Sequence, residues 1–117
     1  MLKIRYRSRS ILLTGDLEGP GLSRVLELPR EPVDVLMAPH HGSKTSNTPG
    51  LAEWAQPRVV VSCEGPPRGP TRPAEPYSPR KARFFGTWPH GAVTVRSDGD
   101  RFFVETFRTK KSVPLDD

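Results

Sequence analysis

Cysteine and long apolar runs are scarce in this 117-residue sequence, and each scarcity excludes a class of protein. The single cysteine, Cys63, rules out an intramolecular disulfide framework and a cysteine-rich zinc finger. The longest apolar runs, within residues 33–38 and 58–63, are much shorter than the ~20 residues of a membrane-spanning helix. We also expect no signal peptide, because no basic segment near residue 1 precedes a long apolar one.

The composition is that of a small basic domain. Lys and Arg number 18 against 13 Asp and Glu, which gives a formal net charge of +5. A basic balance attracts polyanions such as DNA through long-range forces and counterion release. A solvated basic surface without any such partner is the alternative interpretation of the same charge.

The hydrophobic periodicity predicts the order β-β-α-β-α-β for the first half of the chain. A hairpin is expected first, then a short helix, a strand, a helix that begins at Pro49 after a Thr48 or Ser46 cap, and a strand buried on both faces. These elements occupy, in order, residues 2–13, 22–28, 33–38, 49–55 and 58–63. Strands that alternate with helices indicate helices packed on a sheet, which is the α/β class.

The second half begins with a change in composition. Residues 64–80 hold six prolines and are predicted to form a long irregular loop, because proline disrupts helices and ladders. Residues 81–85 are expected to form one helical turn. Alternation in 91–96 and 101–107 around Ser97-Asp98-Gly99-Asp100 predicts a hairpin, and 109–117 is expected to be a tail.

Three polar residues follow predicted strands directly. Asp16 comes after the second strand, and His40 and His41 come after the third. Ligands bind at such strand ends in sheets with helical crossovers, and carboxylates and imidazoles are ordinary ligands of zinc and manganese. A turn or helix-capping role for Asp16 and a plain surface position for the histidines are the alternatives.

Two segments together resemble a known domain. Residues 12–18 (Leu-Leu-Thr-Gly-Asp-Leu-Glu) and 33–46, which include Pro-His-His-Gly-Ser, are similar to the metallo-β-lactamase-like domain of the ComEC family of bacterial DNA-uptake proteins. Residues 57–62 and 91–99 resemble the last strands of the same domain. The resemblance spans residues 2–107 in order, and the spacing of its two motifs makes it specific.

The resemblance implies a fold and a domain organisation. It identifies residues 1–108 as the C-terminal half of a metallo-β-lactamase-like αββα sandwich, an α/β fold with one mixed sheet and two main helices. Residues 64–80 are then a proline-rich loop insertion and residues 109–117 a tail. Because the other half would normally supply the second sheet, we expect a partly exposed apolar face that an upstream half-domain or a second copy covers.

The resemblance also implies a site and a reaction. Asp16 matches the metal-bridging aspartate of the superfamily, and His40 matches its terminal histidine better than His41, although the pair is interchangeable. Zinc or manganese would be the cofactor, and phosphodiester hydrolysis in DNA uptake the reaction. Hydroxyls that follow the histidines are expected either to contact phosphate or orient ligands, or only to satisfy loop backbone; they are Ser43, Thr45 and Ser46.

The sequence departs from the family in two places. The main metal motif, His-x-His-x-Asp-His, is absent, since the only histidines are His40, His41 and His90. Tyr77-Ser78-Pro79 stands where the family has Tyr-x-His-Pro, and His90 is expected to pack or to face solvent. These departures imply that the chain is inactive as a hydrolase by itself.

Two other functions are therefore considered. The chain could be a non-catalytic nucleic-acid-binding or assembly module with phosphate contacts from arginines, or another metallo-hydrolase of the superfamily. The arginines named for this role are Arg68, Arg72 and Arg80, together with Arg5, Arg7, Arg9 and Arg58. By resemblance, the chain would be attached to the bacterial inner membrane through a parent protein, or cytoplasmic if it stands alone.

Overall fold

The computed structural model of the protein describes residues 1–67, 69 and 72–115, and its central feature is a five-stranded sheet. The strands lie in chain order: β1 (Leu2–Tyr6), β2 (Arg9–Leu13), β3 (Val35–Met37), β4 (Val59–Ser62) and β5 (Arg83–Gly86). β1 and β2 form the predicted antiparallel hairpin, and β2 through β5 are parallel to one another. The expected α/β class with a mixed sheet is confirmed.

Helices and 3-10 segments connect these strands. They are α1 (Gly19–Glu27), a 3-10 turn (Pro39–Gly42), α2 (Pro49–Ala55), a 3-10 helix (Glu75–Arg80) and α3 (Thr87–His90). α2 begins as predicted, and of the two proposed caps Thr48 serves, because its Oγ1 accepts from the backbone N–H of Leu51 at 3.2 Å. Within the described ranges, no helix is long and apolar enough to cross a membrane.

One face of the sheet packs against the helices. Leu12, Leu36 and Val60 point to this side from consecutive strands and meet Leu51 and Trp54 of α2. All five are buried, and burying a side chain of this size contributes about 1.5–3 kcal/mol to stability. This helix-covered core holds strands β2, β3 and β4 in place. It therefore fixes where the turns that follow these strands lie.

A second sheet covers the other face, where the sequence predicted only one sheet in the chain. It is antiparallel and consists of β6 (Val93–Ser97), β7 (Phe102–Thr106) and β8 (Ser112–Leu115). The β6–β7 hairpin was predicted correctly. Its Phe102 and Val104 enter a second core, so much of the face that was expected to be exposed is covered by the chain itself.

Three expected elements differ in the structure. Residues 64–80 were predicted to be an irregular loop, but Glu75–Arg80 is a 3-10 helix, which buries Tyr77. The helical turn predicted at residues 81–85 is wrong, because Arg83–Gly86 is strand β5. Phe84 packs on the helix side and Phe85 on the other, and only a strand sends neighbouring side chains to opposite faces. The expected tail contains β8, whose Val113 packs in the second core, while Asp116 and Asp117 lie outside the described residues.

A cluster of charged side chains around Phe102 joins the two sheets. Arg9 Nη1 lies 3.3 Å from Asp34 Oδ1, and Arg58 Nη1 approaches the same oxygen at 3.7 Å. Both guanidinium groups lie over the ring of Phe102, at 5.1 and 5.4 Å from its centroid. Because Phe102 belongs to β7, this cluster connects the second sheet to the amino ends of β2 and β4.

A buried polar contact anchors the proline-rich segment. Tyr77, which is 1% exposed, donates its hydroxyl to Asn47 Oδ1 at 2.6 Å. Asn47 Nδ2 in turn donates to the carbonyls of Pro39 (3.0 Å) and Ser43 (2.7 Å). This chain of hydrogen bonds ties residues 75–80 to the loop that carries the histidines.

Removing the Tyr77 hydroxyl tests this anchor. In Tyr77→Phe the ring is kept but Asn47 Oδ1 loses its buried donor, so we expect the free energy of unfolding to fall by about 1–3 kcal/mol. Urea denaturation followed by circular dichroism measures the change. Ser78→Ala is the control, since its hydroxyl makes an exposed bond to the Glu75 carbonyl; equal losses in both variants would contradict the anchor.

Tyr77 also predicts a sensitivity to alkaline pH. Burial raises the pKa of Tyr77 above its ordinary value of 10.0, so the folded state favours the neutral phenol. The resulting stability is present below the unfolded-state pKa and is lost as the pH rises beyond it. Above pH ~10, the Tm of the wild type should therefore fall more steeply than that of Tyr77→Phe, and parallel curves would refute the prediction.

Candidate functional site

The carboxyl ends of the parallel strands bring the predicted metal ligands to one edge of the sheet. The turn with Asp16 follows β2, and the turn with His40 and His41 follows β3. The two turns touch, since the backbone N–H of His40 donates to the carbonyl of Gly15 at 2.9 Å. Thr14 Oγ1 adds a bond to the carbonyl of Met37 at 2.6 Å. This arrangement agrees with the expectation that both motifs follow strands at the same end of the sheet.

Both histidines have left-handed backbone conformations. The φ angles of His40 and His41 are +50° and +54°, and Gly42 follows at +80°. A non-glycine residue in this region costs roughly 1 kcal/mol or more, so the surrounding structure must hold the turn. The Asn47 amide does so by binding the carbonyls on either side of the pair.

The orientation of the His41 ring leaves one nitrogen free for chemistry. Its Nδ1 lies 3.0 Å from the carbonyl oxygen of Cys63, which can only accept a hydrogen bond. Nδ1 is therefore the donor, which leaves Nε2 as the ring nitrogen that could bind a metal or accept a proton. A histidine whose other nitrogen donates to a carbonyl is arranged as metal ligands and general bases are.

His40 has an acidic neighbour that the sequence did not single out. Its Nδ1 lies 2.9 Å from Glu18 Oε2, a close approach that is not aligned as a hydrogen bond. The ring centroids of His40 and His41 are 6.4 Å apart. Asp16 is exposed, and in the described part of the chain its carboxylate forms no hydrogen bond or ion pair.

The three hydroxyls after the histidines differ in accessibility. The Oγ atoms of Ser43 and Ser46 are buried without a hydrogen-bond partner in the described chain. Ser46 is fully buried, whereas Thr45 is exposed. Between Thr45 and Ser46, only Thr45 is accessible to a substrate. The Ser43 hydroxyl has no partner in the described chain, so it does not form a hydrogen bond with the loop backbone.

Glu64 is a residue at the same edge that the sequence reasoning missed. It follows β4 and accepts a hydrogen bond from Ser62 Oγ at 2.9 Å through Oε2. Its carboxylate fills the space beside two glycines: a Cβ on Gly42 would lie 3.0 Å from Oε2, and one on Gly86 would overlap Oε1. The available signal was its place after a buried strand, the same signal that pointed to Asp16 and His40.

Asn47 was missed for a different reason. It lies in the polar run Ser46-Asn47-Thr48 before α2, and nothing in that run distinguishes the residue that becomes buried. Its role depends on Tyr77, which is 30 residues away in sequence. No local pattern could have identified it.

Among the arginines named for nucleic-acid contact, Arg80 lies away from this edge. Arg68 falls outside the described residues, and Arg72 is exposed in the proline-rich segment. Arg80 precedes β5, near the opposite edge, where its Nε and Nη2 bind Glu53 Oε2 at 3.1 and 2.5 Å. This hydrogen-bonded guanidinium holds the pKa of Glu53 below its usual range.

The edge does not form a complete metal site by itself. Among residues 1–67, 69 and 72–115, no three His, Cys, Asp or Glu side chains are grouped so that they could hold a metal ion. A catalytic zinc takes three protein ligands and an open position. His90 does not add to the set, because its ring packs against Phe85 and its Nδ1 contacts Thr109 Oγ1 at 2.8 Å.

Comparisons of the chain with protein-family models, with curated proteins and with solved structures give no significant match.

The geometry around Gly42 yields a prediction. In Gly42→Ala, the φ of +80° strains the backbone and the new Cβ would lie 2.7 Å from Ser62 Oγ. We expect a loss of about 1–3 kcal/mol in the free energy of unfolding. Gly65→Ala is the matched control, because nothing lies within 4 Å of its Cβ position. Equal Tm values for the two variants would contradict the tight approach of these strand ends.

Proposed function

We propose that the chain is the C-terminal part of a metallo-β-lactamase-like hydrolase that acts on phosphodiesters. In this proposal Asp16 and His40 are metal ligands, with His41 as the alternative to His40. The metal is zinc or manganese, and the biological setting is that of the ComEC-like DNA-uptake proteins.

The observation that supports the proposal best is the contact between the Asp16 and His40 turns. The two motifs that carry the resemblance are 24 residues apart (40 − 16), yet a 2.9 Å backbone hydrogen bond joins them at one edge. The left-handed backbone at both histidines adds to this, since strained non-glycine residues concentrate at functional sites.

The described residues supply too few ligands, so the site needs a contribution from elsewhere. β1 is an edge strand, and three apolar side chains on one of its faces are exposed: Leu2 at 58%, Ile4 at 46% and Tyr6 at 52%. This face continues the second core beyond the three-stranded sheet, because Ile4 pairs with Ile11, which packs there. We propose that an upstream half-domain, or a second copy, covers β1 and brings the missing ligands.

The reaction class follows from the resemblance, and the charge of the chain suits the substrate. A net charge of +5 favours a polyanion such as DNA over a neutral small molecule. What these residues contribute is a carboxylate from Asp16 and one imidazole nitrogen held at a fixed position. Because the described set does not complete a metal centre, hydrolysis requires the completing segment.

A non-catalytic module derived from the same fold is the main alternative. In that case the Asp16 and His40 turns serve only to connect β2 and β3, and metal binding is not expected. Another metallo-hydrolase, acting on a small phosphate ester or lactone, would share the metal but not the preference for a polyanion.

Metal binding separates these functions. We expect Zn²⁺ or Mn²⁺ at about ten times its Kd to stabilise the chain by ~1.4 kcal/mol, which raises the Tm by about 4–8 °C. Asp16→Ala and His40→Ala should each reduce this shift, because each removes a ligand. Differential scanning fluorimetry with and without the metal measures it.

His90→Ala provides the matched histidine control, since His90 lies outside the proposed site, and it should keep the metal-induced shift. If neither metal changes the Tm of the wild type, or if Asp16→Ala responds as the wild type does, the assignment of Asp16 and His40 as metal ligands in this chain fails.

A further inference from the structure

A basic cleft lies at the amino ends of β4 and β5, opposite the edge that carries Asp16 and His40. It is an open depression of about 470 Å³, lined by Arg58, Arg80, Lys81 and Arg83, with Gln56 and two prolines, Pro57 and Pro114. In the part of the chain that the structure describes, its lining contains four cations and no carboxylate.

Two of the four cations have acidic neighbours. Arg58 lies near Asp34, which is shared with Arg9. Arg80 binds Glu53, but the same carboxylate also binds Arg30 at 2.9 Å.

Lys81 and Arg83 have no carboxylate partner among the described residues, and both are exposed. Among the described residues, Lys81 and Arg83 therefore carry positive charge in the cleft without a carboxylate partner.

The cations are held by regular structure rather than by a loose loop. The backbone N–H of Arg83 donates to the carbonyl of Arg58 at 3.0 Å, which places the two arginines on adjacent strands. Lys81 ends the Glu75–Arg80 helix with a left-handed φ of +56° and donates its N–H to the carbonyl of Ser78. A preformed set of cations binds an anion with less loss of conformational entropy.

Stabilisation of helix ends explains only part of this arrangement. Gln56 and Lys81 follow the C-terminal ends of α2 and of the Glu75–Arg80 helix, where positive charge is favourable. Arg83 belongs to a strand and points its charge into the same cleft, so the dipole of a helix does not account for it.

We propose that this cleft binds phosphate groups, and that their source is the backbone of a nucleic-acid strand. Guanidinium groups match phosphate oxygens with paired hydrogen bonds, and lysine adds a mobile point charge. The described lining contains no aromatic side chain on which a base could stack, so recognition would be independent of sequence. The site is separate from the proposed metal edge, and binding there does not depend on hydrolysis.

The test compares Lys81→Gln/Arg83→Gln with the wild type in fluorescence anisotropy. The probe is a labelled oligothymidylate of about 12 nucleotides, titrated at several salt concentrations without metal. We expect an affinity loss of about tenfold and a decrease of about 1.4 in the slope of log K against log salt, since two phosphate contacts are removed. Arg101→Gln/Lys111→Gln is the control, because it removes the same charge from exposed positions outside the cleft.

A second arm distinguishes the source of the phosphate. Pyrophosphate is titrated against the bound oligonucleotide and, separately, against the free protein. If only the oligonucleotide binds in a manner that depends on Lys81 and Arg83, the backbone is the ligand. If pyrophosphate binds equally well and is lost in the same variant, the nucleic-acid source is overturned and the cleft is a site for small phosphate compounds.

The proposal is overturned if the cleft variant and the control variant lose affinity equally, because the effect would then be one of net charge. It is also overturned if the cleft variant has a lower Tm and unchanged binding. That result is expected if the cations only stabilise the C-terminal ends of helices. Neither result bears on the metal proposal, which Asp16→Ala and His40→Ala test independently.

Discussion

The two-sheet arrangement depends on the contacts that the Asp34 carboxylate makes with its neighbouring arginines. This carboxylate receives Arg9 and the backbone N–H of Ser10 from β2 and lies near Arg58 before β4, so it joins the amino ends of neighbouring strands. The same arginines cover Phe102 and thereby connect the second sheet to the first. Asp34 is only partly exposed, so removing one of its cationic partners leaves its charge with fewer compensating groups and is expected to lower stability. Few other contacts in the molecule link so many elements.

The parallel strands give the molecule two chemically different edges. Strands β2 to β5 all run in one direction, so the residues after each strand collect at one edge and the residues before each strand collect at the other. Carboxylates and imidazoles come after the strands, in the turns that leave β2, β3 and β4. Arginine and lysine precede β4 and β5.

Local patterns were enough to predict many elements of this fold. The valines of β4, the alternation in β6 and β7 and the Thr48 cap all act over a few residues, and they were predicted correctly. β5 was not, because Phe84 and Phe85 become strand residues only when they pair with Val60 and Val61. The buried hydrogen bond of Asn47 and the position of Glu64 between two glycines likewise depend on residues far away in sequence.

The left-handed histidine pair has a consequence for how the chain can drift under mutation. Glycine or asparagine would occupy φ values near +50° with less strain than histidine, so either replacement is expected to stabilise the turn. A lineage with no use for the imidazoles would therefore gain stability by losing them, whereas one that uses them gives up that gain. Retention of histidine at positions 40 and 41 in related chains would therefore indicate that the imidazoles are used, whereas replacement by glycine or asparagine would indicate that they are not.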